Sequence, residues 1–443
     1  MTIKNKFKKN FKISLFIIIY CFLFLSLFFS FSTASAEAAE EDDYKEIEFW
    51  TINLKSNYED YFLEKIDEYQ LKNPDIKIKW EDLSFYAVKQ NLMFRMGGDT
   101  PQLVNLSPEL MSSLLHEKLL YPVSEFDKDY SEEFYPKLWE TSLYQGNIYA
   151  FPWYLSSRIM AYNKEIFEIA GLDSTKPPET YEELYKAAEI IKDKTGVYAF
   201  MPKIKIYQEF LKSDIQLFEE KDGKLIPAFN TEKALEIIRN YQELAAKDII
   251  PPDSLTADFN IAVERYLEND LAILITAPQF LKKIENDSEY IRDMTGLAPL
   301  PTAEADILES SLMNLVIPKN AEFKEEAAEF AAYITNSESQ LEFSELTGVL
   351  PSAKTGKNDF SNRDKDILND YNNTHISLTE NARQILMINL EKTTDLTPLE
   401  KNANEIIKVM DQQFARAFAG KISAEEALEL MEIGCRKILN EEQ

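Results

Sequence analysis

The sequence predicts an α/β protein with room for two lobes, and two observations carry that expectation. A chain of 443 residues is long enough for two units that each bury a core. Short apolar runs of strand length alternate along it with segments of helical period, the order that builds doubly wound sheets.

The chain opens with residues 1–12, which carry five lysines and no acid, followed by an apolar run over 13–31. Ala34-Ser35-Ala36 then precedes Glu37. This is the layout of a secretory signal peptide over 1–36, cleaved after Ala36. The apolar run is also just long enough to span a bilayer, so an uncleaved anchor is the alternative. Both place the lysines inside and the rest of the chain outside the cytoplasm. Cys21 sits within the apolar run behind Ile-Ile-Tyr, a poor setting for lipidation. Residues 37–44 are acidic and read as disordered.

The first strand is expected over Glu46–Asn53, with Trp50 and Asn53 near its end, where ligands bind in doubly wound sheets. Tyr58, Tyr61, Phe62, Ile66 and Tyr69 then repeat at helical spacing, as core residues do. A second strand covers Ile76–Trp80, a helix runs to Met96 and stops at Gly97-Gly98, and a strand follows over Gln102–Leu106. The stretch 145–173, QGNIYAFPWYLSSRIMAYNKEIFEIAGLD, reads as a turn, a buried strand interrupted at Pro152-Trp153-Tyr154, and a helix closed by Gly171. Thr180 with Glu183, and Ser423 with Glu426, form capping boxes; Ser337 with Gln340 is expected to do the same. Asp222-Gly223 marks a hairpin, and Thr397-Pro398 a helix start.

Composition excludes several functions. With the five leader lysines set aside, 43 basic residues face 76 acidic ones, a net charge near −33. Such a surface repels nucleic acid and anionic membrane. No G-x-G-x-x-G, Walker A or G-x-S-x-G pattern occurs. Two histidines and, outside the leader, the single thiol of Cys435 leave no metal site, no cofactor and no internal disulfide to expect. No catalytic residue is assigned, although 76 acids always supply chance carboxylate pairs.

The 145–173 stretch, GGDTPQLVNLSPE over 97–109, and AFAGKISAEEALEL over 417–430 together resemble the extracellular solute-binding proteins of ABC importers, in the sugar-binding, maltose-binding-protein-like branch. The likeness runs in order over residues 45–440 and implies a periplasmic-binding-protein-like fold with a hinge and an interlobe cleft. It implies lobes over 45–152 plus 302–353 and over 153–301 plus 374–443, with crossings near Pro152 and Pro301 and a crossing loop at 354–373. By the same resemblance Asn105, Ser107, Glu109, Trp153, Tyr154, Ser156, Tyr207, Phe280, Met313 and Asn314 join Trp50 and Asn53 as ligand contacts. Arg158 is either a cleft residue that meets a carboxylate, phosphate or hydroxyl pair, or a strand-edge residue that reaches solvent or pairs with an acidic neighbour. Trp153 and Tyr154 either stack on ligand or fill the core, and Trp153→Ala is expected to weaken binding without unfolding the protein. The implied role is capture of a carbohydrate, an oligosaccharide, by a monomer that closes and delivers it to a membrane permease. A polyamine or phosphate ester, or a ferric ion, is the alternative cargo; a secreted carbohydrate-active enzyme is the other class.

Overall fold

A computed structural model describes residues 44–95, 98–201, 203–354 and 376–440. The leader and nearly all of the 354–373 loop lie outside these residues. Among the described residues no helix is long and apolar enough to cross a membrane.

The strands in chain order are β1 (Lys45–Ile52), β2 (Ile76–Leu83), β3 (Leu103–Leu106), the pair β4 (Leu143–Tyr144) and β5 (Asn147–Ile148), β6 (Ala150–Ser157) and β7 (Ile159–Asn163). They continue with β8 (Tyr198–Met201), the hairpin β9 (Phe218–Lys221) and β10 (Lys224–Pro227), β11 (Leu271–Thr276), β12 (Thr295–Ala298), β13 (Leu308–Val316), β14 (Leu350–Pro351) and β15 (Thr393–Asp395). A seven-stranded sheet has the order β14-β6-β13-β3-β1-β2, with β15 also pairing β13. A four-stranded sheet has the order β12-β7-β11-β8. In the large sheet β1, β2 and β3 are parallel, and β13 runs against β3 and β6. In the small sheet β8 and β11 are parallel, and β7 runs against β11 and β12.

Each sheet has a core of its own. Phe49, Phe62, Trp153 and Phe330 anchor the one on the large sheet. Phe200, Phe210, Tyr241 and Phe414 anchor the one on the small sheet. A further cluster joins both, from Leu155 and Leu312 to Ile159 and Leu274, beneath helix Leu378–Ile388. Helix ends follow short-range chemistry. Asn163, Thr180 and Thr231 accept the backbone N–H of Ile166, Glu183 and Ala234, and Gly171 ends its helix at φ +80°. Ser423 accepts from Glu426 as expected. Asp222 and Gly223, both at positive φ, turn the β9–β10 hairpin.

Three expectations shift. The cap near 337 is Asn336, which accepts from Ser339 N. Thr397-Pro398 starts no helix: the Thr397 N–H donates to the Asp395 carboxylate at 2.8 Å, and the helix begins at Ala403. The chain changes sheets at Arg158 rather than near Pro152, since β6 stays hydrogen-bonded to β13 as far as Ser157. The second change falls between β12 and β13, around Pro301. The third follows β15, because helix Ala403–Phe418 packs into the core of the small sheet.

Gly296 on β12 faces Tyr162 on β7, and a Cβ there would stand 2.3 Å from the Tyr162 ring. Tyr162 cannot swing away freely, because its hydroxyl donates to Ser174 O at 3.0 Å. Gly296→Ala is therefore expected to destabilise by about 1–3 kcal/mol through overpacking. A urea unfolding curve checks this, and an unchanged midpoint would refute it.

Candidate functional site at the facing sheet edges

Because β6 runs antiparallel to β13, and β13 antiparallel to β3, the ends of β1, β3 and β6 share one edge of the large sheet. Only Arg158 separates β6 from β7, so the start of β7 and the ends of β8, β11 and β12 meet that edge from the small sheet. In open α/β sheets the crevice beyond such strand ends is where ligands bind.

Among the described residues, polar side chains at these edges have atoms with no hydrogen-bond partner. Asn105, fully buried near the end of β3, donates its amide to Asn314 O at 3.2 Å, but its Oδ1 is unpaired. Asn314, opposite Leu106, has neither amide atom paired. Ser107 holds the N-cap position of helix Pro108–His116, yet its hydroxyl neither caps the helix nor finds another acceptor. Ser310 on β13 and Thr276 at the end of β11 also keep unpaired buried hydroxyls. Buried polar groups are nearly always satisfied, so several at one edge call for an explanation.

Charge at the edge is acidic. Glu109 lies exposed in the first turn of helix Pro108–His116. Asp395 ends β15 and accepts from Leu312 N and Thr397 N, both at 2.8 Å. Burial pushes the Asp395 carboxyl up to about 6, those two N–H groups oppose the rise, and Glu109 adds to it. Tyr207, buried in the first turn of helix Ile206–Lys212, feels Asp395, Glu109 and Asp411 together. Burial first, and then these three carboxylates, hold its hydroxyl firmly protonated.

The other expected residues divide. Asn53 is exposed at the end of β1 with φ +53°. Ser156 is exposed opposite the exposed Ser311. Met313 is half-buried at an irregularity between Leu312 and Asn314, where β13 shifts register against β6, the kind of bulge that re-aims a side chain. Tyr154 is half-buried against Phe343, ring centroids 5.4 Å apart, and burial raises its hydroxyl pKa. Phe280 is half-buried, tilted against Phe259 at 5.2 Å.

Two tryptophans expected at the cleft belong to the core. Trp50 is 1 % exposed; its indole N–H donates to Glu48 at 2.9 Å and the Arg95 guanidinium lies over its ring at 5.0 Å. Trp153 is fully buried, stacked on Phe343 and edge-on to Phe62. Arg158 takes the second of its two readings. Its guanidinium pairs with Glu309 and donates to Lys203 O at 3.2 Å. Thr276, Glu309, Ser310 and Asp395 were not among the expected site residues. The last lies in TTDLTP, a stretch whose polar residues look like an ordinary loop.

Among the described residues no group of three or more His, Cys, Asp or Glu side chains is placed to hold a metal ion. What the edge does offer is hydrogen bonding: amides and hydroxyls that both donate and accept, with carboxylates that accept.

Comparison with known proteins fits this geometry. Residues 55–341 match the family of bacterial extracellular solute-binding proteins. A chain from Brucella abortus (strain 2308) that carries a binding-protein name is 21 % identical over 307 residues, 66 % of this chain and 73 % of that one. The sugar-binding protein MalE of Xanthomonas citri superposes with a TM-score of 0.73 at 20 % identity, covering 90 % of this chain and 98 % of that one. The cyclic alpha-maltosyl-1,6-maltose binding protein of Arthrobacter globiformis superposes with a TM-score of 0.72 at 17 % identity, covering 90 % and 100 %. A shorter likeness, 49 % identical over 47 residues and 11 % of each chain, is to the sn-glycerol-3-phosphate-binding periplasmic protein UgpB of Agrobacterium fabrum (strain C58 / ATCC 33970). The fold is thus the two-lobed periplasmic-binding-protein class, and the family is one of binding proteins rather than enzymes. They act outside the cytoplasm and work with importer permeases. The chain belongs to the bacterial extracellular solute-binding proteins of ABC transporters.

Proposed function

We propose that this member captures a neutral carbohydrate, an oligosaccharide, between the two sheet edges and carries it to its permease by closing around it. The observation that carries the reading is the set of unpaired amides and hydroxyls on Asn105, Ser107, Thr276, Ser310 and Asn314, beside the acceptors Glu109 and Asp395. A sugar rim is a row of hydroxyls, each a donor and an acceptor, and it matches such a set. Tyr154 and Tyr207 offer rings for the apolar sugar face. Closure follows from a ligand that touches both lobes, since only differential affinity shifts an open–closed balance. The names of the MalE-like neighbours support the ligand class.

A phosphate ester is the second reading, favoured by the 47-residue likeness to UgpB. The acidic surroundings of Tyr207 oppose it, and Glu309 already occupies Arg158. A thermal-shift screen of the chain from Glu37, against oligosaccharides, uronates, sugar phosphates and polyamines, decides. A ligand at a hundred times its Kd adds about 2.7 kcal/mol, a rise of a few degrees. The expected result is a shift with a neutral oligosaccharide that is recovered intact. A shift with sugar phosphates or polyamines alone would overturn the neutral-sugar reading, and cleavage of the sugar would overturn a pure binding role.

A further inference from the structure

Four charged side chains meet at the point where the chain passes between the sheets. Arg158 is the single residue between β6 and β7. Glu309 lies on β13, just after the second passage. Glu209 and Lys212 stand on helix Ile206–Lys212, which packs into the core of the small sheet. Their side chains are 19 %, 4 %, 10 % and 6 % exposed, so two cations and two anions are held largely out of water.

Glu309 is the anion that both cations share. One oxygen pairs with Arg158, and the other lies 3.2 Å from Lys212 Nζ. Lys212 also reaches Glu209 at 2.6 Å and the Tyr181 hydroxyl at 2.8 Å, while the Tyr241 hydroxyl donates to Glu209 at 3.0 Å. Ser157 donates to the Glu309 carbonyl at 2.8 Å, which ties the two passages together. Only a void of about 20 Å³ remains among these groups, too little for a cargo.

The contacts fall into two kinds. The Arg158–Glu309 pair and the Ser157 bond join one passage to the other and can move with them. The Lys212–Glu309 contact joins a strand of the large sheet to a helix of the small-sheet lobe. Of the three, it is the contact on which a rotation of one lobe against the other would act. Buried ion pairs add little net stability but penalise geometries that separate them, because each parted charge is left unpaired out of water. Helix Ile206–Lys212 also carries Tyr207, so the contact acts on the element that presents a candidate ligand residue.

We infer that the Lys212–Glu309 pair is an interlobe latch, made in the closed arrangement and broken on opening, which sets the open–closed balance of the ligand-free protein. The inference rests on the cleft-closure reading, but its first test needs no ligand. Small-angle scattering compares ligand-free wild type with Lys212→Met, which keeps the Arg158–Glu309 pair, and with Glu309→Gln. The expected result is a larger radius of gyration in both variants, with helix content and a cooperative unfolding transition retained. If one variant does not fold, the other carries the comparison. A merely structural role would lower the unfolding midpoint and leave the radius unchanged, and that outcome overturns the latch. So does a ligand-free wild type already as extended as the variants. With the oligosaccharide that gives the largest thermal shift, Lys212→Met should bind about tenfold more weakly, because less of the protein is closed before binding. Absence of any oligosaccharide shift would count against the proposed cargo and leave the scattering result standing.

Discussion

Trp153→Ala is expected to lower the unfolding free energy by about 3–5 kcal/mol, the range for truncating a large aromatic in a packed core. The indole is fully buried, stacked on Phe343 at 5.8 Å and 18°, and meets Phe62 edge-on at 5.9 Å. Phe49 stands 6.2 Å away on its other flank. The surroundings cannot collapse into the space it leaves, because its strand is fixed on both sides. β6 is hydrogen-bonded to β13 and to β14, and the Trp153 carbonyl accepts from the Ser352 N–H at 3.2 Å and hydroxyl at 2.7 Å. A rigid wall around a vacated indole leaves a cavity, and the cavity adds to the lost transfer energy. In urea the midpoint should fall with little change in slope. Weakened ligand binding with stability within about 1 kcal/mol of wild type would instead return the ring to the cleft.

That reversal shows what the sequence carries and what it does not. Short-range signals were legible. Asn163, Thr180, Thr231 and Ser423 cap because the N–H they accept is three residues ahead, and Asp222-Gly223 turns because both adopt positive φ. Strand-end positions were legible too: Asn53, Asn105 and Ser107 do lie at or near the edge. The direction of a side chain was not. Successive residues of a strand point to opposite faces, and a sheet covered by helices on both faces makes both apolar. Trp50 and Trp153 stand on strands that reach the cleft and still point into cores. Partners distant in sequence were equally hidden. Arg158 looks available until β13 brings Glu309 beside it, and Asp395 looks like loop until β15 pairs with Leu308–Ser310. The resemblance supplied the fold, because order along the chain survives where single contacts diverge.

Asp395 gives the fold a stability term that grows as pH falls. Its carboxyl titrates at about 6 in the folded protein against 3.8 as a free side chain, chiefly because burial disfavours the charge. Between those values the folded state holds a proton that the unfolded chain has lost, so unfolding free energy falls as pH rises. The contribution is fully present below about pH 4 and gone above about pH 7, and the size of the shift corresponds to about 2–3 kcal/mol. Asp395→Asn removes this titration. The amide loses one of the two backbone N–H bonds at every pH, so the absolute difference from wild type has no fixed sign. Its pH dependence does. Wild-type stability minus variant stability should rise by about 2 kcal/mol between pH 8 and pH 4.5, with the titrations of the other acids cancelling in the difference. Urea unfolding of both proteins at four or five pH values reads it directly. A flat difference would mean that Asp395 is solvated like an ordinary surface acid, and a falling one that its charge is stabilised. Glu109→Gln should reduce the rise but not abolish it, because Glu109 is a minor cause beside burial.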